Sequence, residues 1–280
     1  MARTGSTRRL RAIGWLVTPA VLVVAWEVSA RWVDAPYVYP TATAVLARLA
    51  RPSDNILQRG SLGVNTAISL MRVILGFAAA AVAGVAAGLV MGASRVVRAM
   101  VEPVVELLRP LCPVAWVPFA IAVFGMKTVP GVFGFEYTDT LLDEVQVGTV
   151  FVLFWGAFFP IVINTLDGVA RVRQSYVKLA WTLGASRWRI FRHVHLPGAM
   201  PGILTGLRQG VGTCWFVIIA AEMLPGSDSG IGYLLLYSAE QLAMDVTVAA
   251  LIVIAAIGAV LNAAMVAAMH SMVSWQGKET

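Results

Sequence analysis

Apolar residues dominate six long stretches of the chain, and polar residues gather in the segments between them. A helix needs about 20 mostly apolar residues to cross the roughly 30 Å hydrocarbon core of a bilayer. All six stretches are long enough. The pattern therefore predicts six membrane-spanning helices, at residues 13–30, 65–91, 104–125, 145–166, 202–224 and 246–272.

Composition agrees with a membrane protein. The 280 residues are 59% hydrophobic and only 13% charged, with a mean hydropathy of +0.78. Soluble domains carry about 25% charged residues, so this chain has too few charges to coat a surface that faces water. The two cysteines, Cys112 and Cys214, lie far apart in apolar runs. We expect them to be buried small side chains rather than a metal or redox pair.

The distribution of basic residues predicts which segments face the cytoplasm. The net charge is +6, and the basic residues cluster between apolar runs, which fits topology signals better than nucleic-acid binding. With the N-terminus inside, thirteen of the 21 basic residues fall in inner segments and five in outer ones. Basic residues favour the cytoplasmic side, so both termini are predicted to be cytoplasmic. The basic start also resembles a cleaved signal peptide, but the long apolar run with Glu27 favours a retained first span.

Glycines repeat every four residues along the second predicted span and at its end, at Gly84, Gly88 and Gly92, and along the fifth, at Gly202, Gly206 and Gly210. This spacing places each set on one helix face, where another helix can approach closely. We expect these faces to pack inside the bundle or to move against neighbouring helices.

Prolines interrupt the third predicted span at Pro110, Pro113 and Pro118. Proline lacks a backbone donor, and broken backbone at membrane depth persists only when it is buried in protein or lines a wet cavity. Residues 110–118, with Trp116, are therefore a candidate for the lining of a polar path through the membrane, which would be the translocation path of a transport protein. A kink needed only for packing is the alternative.

The loop at residues 167–200 is the largest polar connection, and it is predicted to be cytoplasmic. Helical spacing over residues 176–183 ends at Gly184, as expected for a glycine just past a helix end. A second amphipathic piece carries Trp188, and Pro197 is expected to end it at the membrane. Bulky Trp181 and Trp188 could fill a groove on a partner protein. The alternative is a loop that lies on lipid headgroups.

The same loop resembles the "EAA loop" of permease subunits of ABC (ATP-binding-cassette) importers. That pattern is Glu-Ala-Ala, three residues, Gly and, further on, Ile-x-Leu-Pro; here Lys178 and Leu179 replace its first Glu and Ala. The resemblance implies a coupling helix that docks on a separate ATPase. The matching or flanking residues assigned to this coupling are Lys178, Leu179, Ala180, Trp181, Gly184, Ala185, Trp188, Phe191, Leu196 and Pro197.

Further motifs extend the resemblance over about residues 60–272. They are Arg109-Pro-x-x-Pro-x-Ala-Trp-x-Pro, Gly156-Ala-Phe-Phe-Pro-x-x-x-Asn-Thr165, Ala220-Ala-Glu-Met and Gly230-Ile-Gly-Tyr. They are similar to the branch that carries nitrate, aliphatic sulfonates, taurine and bicarbonate. The resemblance implies an all-α membrane protein with the type I ABC importer permease fold. Residues 13–272 would form the permease domain, between cytoplasmic tails at 1–12 and 273–280.

Charges in or near the spans are candidates for a substrate route. Glu222, toward the outer end of the fifth span, is expected near an outer mouth, where it could gate or pair between subunits. Arg109 and Arg208 are expected to snorkel to the inner interface rather than bind substrate. The 126–143 connection carries acidic residues against Lys127 and could touch a binding protein, although a solvated acidic loop is the default.

Several motifs are absent from the sequence. No Gly-x-x-x-x-Gly-Lys-Ser/Thr phosphate loop occurs, so ATP with Mg²⁺ is expected to act on a partner chain, and no cofactor or metal is expected on this one. Hydrolase motifs are also missing, which indicates a transport subunit rather than an enzyme.

The resemblance implies an inner-membrane complex with ABC ATPase subunits, a second permease copy as a homodimer, membrane lipid and a periplasmic or lipid-anchored substrate-binding protein. No nucleic acid is expected. A permease for another substrate class, a secondary transporter or channel, and a membrane scaffold are the alternatives. The sequence does not name the substrate.

Overall fold

A computed structural model describes residues 4–132, 134 and 141–272, with side chains described from Val17 onward. Within these residues the secondary structure is helical, apart from two isolated β-bridges. The α-helices are α1 Thr4–Val33, α2 Ala42–Leu49, α3 Leu62–Ala93, α4 Arg95–Leu108, α5 Val117–Phe124, α6 Val129–Val132, α7 Val147–Ala170, α8 Gln174–Thr182, α9 Arg187–Ile190, α10 Leu196–Glu222, α11 Ile231–Glu240 and α12 Met244–Met272. Short 3₁₀ turns at Pro113–Trp116 and Leu141–Glu144 and a π turn at Phe191–His195 join some of them.

The chain forms two compact units. One comprises the described part of Met1–Val64 together with Leu234–Val253. In it, the Trp26 ring N–H donates to the Pro40 carbonyl at 3.0 Å, and the Glu27 carboxylate accepts from the Thr43 backbone N–H at 3.1 Å. These bonds hold the start of α2 against α1.

The second unit comprises the described parts of Asn65–Tyr233 and Ile254–Thr280. Its core lies among α3, α7 and α10, where Leu153, Ala157, Ile161, Cys214 and Ile218 are fully buried. Burial of Cys214 agrees with the expectation for a small apolar side chain. Cys112 differs, because it lies in the turn after α4 and is exposed.

Glycines allow the helices of this core to approach closely, as their spacing predicts. Along α3, Gly84, Gly88 and Gly92 face Ile161, Thr165 and Val169 of α7, with a constant sequence offset. That constant offset means that α3 and α7 run parallel. On α10, Gly202, Gly206 and Gly210 face residues 157–168 of α7 in the reverse order, so α10 is antiparallel to α7.

Parallel α3 and α7 require the chain between them to return across the length of the bundle. The bent pair formed by Arg95–Leu108 and Pro113–Phe124, with an angle of 89°, begins this return. The break coincides with Pro110 and Pro113, as predicted. The bounds of this interrupted span differ from the predicted 104–125, because its first helix begins at Arg95 and accommodates Pro103. The turn near Pro110 separates that helix from the next helical piece.

Four single helices are long and apolar enough to cross a membrane, and the bent pair makes five. These counts refer to the residues that the structure describes. They match the second to sixth predicted spans. Helix α1 covers the first predicted span, but the side chains of its first half lie outside the described residues, as do most of the two predicted tails.

Candidate functional site

A tight glycine corner follows α8. Gly184 has φ +73°, a conformation that glycine adopts without steric strain. Its N–H donates to the Trp181 carbonyl at 2.9 Å, and the Ala185 N–H donates to the Ala180 carbonyl at 3.0 Å. These two bonds form a Schellman cap, which satisfies the last carbonyls of α8. The corner expected from the sequence is therefore present.

Large apolar side chains on both sides of this corner are exposed at the surface of the chain. Leu183 is 77% exposed and Trp188 is 66% exposed, while Leu179 and Trp181 are more than half exposed. Leu183 was not among the residues singled out from the sequence. It is the C-cap residue of α8, next to the turn. We call residues 174–197 the corner segment.

The second half of the corner segment differs from the prediction. Ser186 caps α9 by accepting a hydrogen bond from the Arg189 N–H, and the π turn Phe191–His195 then leads directly into α10. Pro197 therefore does not end a helix. In the π turn, the Leu196 N–H reaches back to the Phe191 carbonyl, so the hydrogen-bond register shifts just before Pro197. A residue without an N–H fits in the first turn after such a shift.

The base of the corner segment is packed against the helices that adjoin it. Ile190 is buried, and the rings of Trp188 and Phe191 stack with centroids 5.6 Å apart. Gly198 lies against Val172, and Leu196 packs on the cluster of Val169, Ala199 and Ile203. The base of the corner segment is thus packed on α7 and α10.

Two adjoining cavities lie along α7 and α10, with volumes of about 250 and 510 Å³. Pro160, Gln209 and Thr213 line both of them. The smaller cavity also contains Arg109 and Asn164, and the Asn164 amide donates to the Gln209 Oε1 at 2.9 Å.

The larger cavity contains Arg208, whose Nε donates to the Asn262 Oδ1 at 2.9 Å. Sequence reasoning had set Arg208 aside as a snorkelling residue and had overlooked Gln209 and Asn262. An amide within an apolar span is a signal that could have identified both residues.

The residues predicted for the translocation path lie in different surroundings. Pro113 lines the smaller cavity, and Pro110 is exposed in the turn after α4. The Trp116 ring packs against Trp155, with centroids 4.9 Å apart, and Pro118 is an exposed residue of the first turn of α5. Of this set, only Pro113 lines either of the two cavities described above.

Glu222 lies in a buried ion pair with Arg72, in which each side chain is 1% exposed. The Arg72 Nη1 donates to the Glu222 Oε1 at 2.8 Å, and the Ser69 hydroxyl and the Gly232 N–H also donate to this carboxylate. Arg72 further donates to the carbonyls of Glu144 and Ser229. Sequence reasoning missed Arg72, since nothing in the sequence pairs it with a residue 150 positions away.

The ends of the 126–143 connection are hydrogen-bonded to each other. The Val129 N–H donates to the Val145 carbonyl, and the Val147 N–H donates to the Lys127 carbonyl, both at 2.9 Å. The acidic Glu136 and Asp139 lie outside the described residues.

The sequence has clear relatives among known proteins. It is 41% identical to a putative ABC transporter permease protein of Methanocaldococcus jannaschii, over 87% of this chain and 85% of that protein. It is 32% identical to the taurine transport system permease protein TauC of Escherichia coli, over 92% and 87% of the two chains. It is 33% identical to the nitrate import permease protein NrtB of Synechocystis, over 88% and 84%.

The fold matches a solved ABC transporter. An inward-facing structure of the MetNI methionine ABC transporter aligns with a TM-score of 0.54 and 15% identity, over 74% of this chain and 93% of that one. The similarity confirms the type I importer fold. Residues 65–274 match the family described as the binding-protein-dependent transport system inner membrane component. The chain therefore belongs to this family, the inner-membrane permease subunits of ABC importers.

Proposed function

We propose that this permease couples to a separate ATPase through the corner segment, with Leu179, Trp181, Leu183 and Trp188 seated in a groove of that partner. ATP with Mg²⁺ would be bound and hydrolysed by the partner chain. Closure of two ATPase subunits would move the corner segment, and α7 and α10 would follow because its base is packed on them. This movement would switch the transport route between inward-open and outward-open.

Exposure of the corner segment carries the proposal. Four large apolar side chains project from a fixed turn, and water contact with apolar surface is unfavourable by about 25 cal/mol per Å². Exposed aromatic and aliphatic anchors of this kind commonly fill pockets on a partner protein. Family membership supplies the partner, since permeases of ABC importers work with an ATPase and a substrate-binding protein.

Pairing of two permeases would complete the transport route. The cavities of about 250 and 510 Å³ are open in one subunit, and a second copy, in a homodimer, would close them. Lipid would surround the outer helices, and a periplasmic or lipid-anchored binding protein would deliver the substrate. We infer a small anion such as nitrate, a sulfonate, taurine or bicarbonate, and the relatives named for taurine and nitrate support this class.

Co-purification of the ATPase tests this proposal. Trp188→Ala should reduce the amount of ABC ATPase recovered with the tagged permease from native membranes by at least fivefold, because it removes an anchor from the interface. Gly184→Trp should abolish recovery, since a side chain at φ +73° strains the corner.

Trp32→Ala is the matched control, because Trp32 is 88% exposed on α1, outside the corner segment. Recovery should be unchanged in this variant. Equal ATPase recovery from Gly184→Trp and from the unaltered protein would contradict docking through this corner.

A further inference from the structure

The middle of α10 presents a positive charge to an open space. Arg208 is exposed in the larger cavity, twelve residues from Leu196 and fourteen from Glu222. At 1.5 Å per residue, these ends are about 18 and 21 Å away along the helix axis. The helix begins earlier than the predicted span, so Arg208 lies farther from its end than the sequence indicated. A charged group inside a span normally faces the protein interior or a wet cavity.

Asn262 orients this arginine. The bond from Arg208 Nε to Asn262 Oδ1 holds the guanidinium toward the neighbouring helix α12, across the cavity rather than along α10. None of the ion pairs among the described residues involves Arg208. Because Nε is occupied, the two Nη groups remain to bind a ligand end-on. Such a pair of donors matches the planar oxygen edge of an oxyanion.

The surroundings reinforce the positive charge. Arg109 contributes a second guanidinium to the adjoining cavity, and Gln209 and Thr213 connect the two cavities with neutral polar groups. No acidic side chain occurs among the described residues that line either cavity. A groove with one sign of charge between apolar walls concentrates ions of the opposite sign.

We propose that Arg208, oriented by Asn262 and assisted by Arg109, makes this part of the transport route selective for small oxyanions, including sulfonates. The inference deepens the proposed function, because it rests on these cavities belonging to the transport route. Arg208 is thus a specificity residue of the membrane domain itself, acting in addition to any selection by a binding protein.

Cysteine chemistry next to Arg208 can measure this selectivity without knowledge of the natural substrate. Gly212 lies one helical turn from Arg208, and a β-carbon there would meet no atom within 4 Å, so Gly212→Cys should be tolerated. Cys112→Ser removes the exposed native thiol, and Cys214 is buried. The probes are two methanethiosulfonate reagents, one carrying a sulfonate and the other a trimethylammonium group, applied to the purified permease–ATPase complex or to the purified full-length permease.

Removal of the charge should change the relative rates of the two reagents. A unit positive charge about 6 Å from the thiol in water should raise the reaction rate of the anionic reagent about threefold and lower that of the cationic reagent about threefold. Arg208→Gln should therefore lower the anion-to-cation rate ratio at the thiol introduced by Gly212→Cys by about tenfold, and Arg208→Lys should retain most of it. Arg109→Gln should lower it less. Arg95→Gln is the matched control, since Arg95 is exposed on α4 and lines neither cavity; its ratio should not change.

A ratio that stays within twofold in Arg208→Gln would overturn the inference. This failure is distinguishable from failure of the proposed function, because ATPase recovery is measured on corner-segment variants and does not depend on the cavity. If the rate ratio changes tenfold while the corner-segment variants still recover the ATPase, the result would support the anion site. The same result would contradict the docking proposal.

Discussion

At the scale of single residues, charge inside the membrane domain is used in two different ways. Arg72 and Glu222 neutralise each other in a buried cluster, whereas Arg208 and Arg109 lie in open cavities without a carboxylate partner among the described residues. The sequence identified Glu222 as unusual because carboxylates are rare in spans. It could not assign the role, because the partner depends on which turns meet in the folded chain.

The buried pair should contribute strongly to stability only as a pair. Glu222→Ala leaves the Arg72 charge buried and unpaired, so we expect a loss of about 3–5 kcal/mol in the free energy of unfolding. Replacing both residues, as Arg72→Met with Glu222→Leu, should recover part of that loss, because the unpaired charge is removed while the Gly232 N–H and the Ser229 carbonyl each lose a hydrogen bond. Thermal unfolding of the protein in detergent provides the measurement.

The partly exposed pair of Arg48 and Asp245 gives the comparison for this experiment, with the Arg48 Nε and the Asp245 Oδ2 2.7 Å apart. Asp245→Ala should cost less than about 1 kcal/mol, because solvent screens a partly exposed ion pair. Equal losses for Glu222→Ala and Asp245→Ala would mean that Arg72 finds water or another partner.

At the scale of helices, glycine spacing and proline positions predicted two features of the structure. The four-residue glycine steps do mark the close faces of α3 and α10, and the proline cluster does mark the break after α4. Spacing did not reveal that both glycine faces contact the same helix, α7. It also could not predict that a π turn would let α9 continue into α10 past Pro197.

Glycines on α10 should differ sharply in their tolerance of a side chain. A β-carbon at Gly210 would lie 2.9 Å from Ile161, while one at Gly212 would meet open space. Gly210→Leu should therefore lower the free energy of unfolding by about 1–3 kcal/mol through overpacking, and Gly212→Leu should leave it nearly unchanged. The thermal midpoints of the two variants, measured in the same detergent, test this difference. A lower midpoint for Gly212→Leu would show that another chain already occupies that space.

At the scale of the whole chain, the length of the hydrophobic stretches predicted the second to sixth spans. Because α3 and α7 are parallel, the broken third span between them has to return the chain along the length of these helices. Family membership then identifies an ABC importer permease. Periodicity could not predict the two cavities, since they depend on packing between helices that are distant in sequence. The side on which the corner segment lies remains a prediction from the basic residues.

Photo-crosslinking from the corner segment tests the central claim most directly. A photo-reactive amino acid at Leu183, the most exposed apolar side chain of that segment, should crosslink to the ATPase chain in native membranes. The same group at Trp32 should give no crosslink to the ATPase. A crosslink from Leu183 to lipid alone would contradict the proposed coupling. Labelling of Leu183→Cys, in a Cys112→Ser background, by a membrane-impermeant thiol reagent added outside intact spheroplasts would also contradict it.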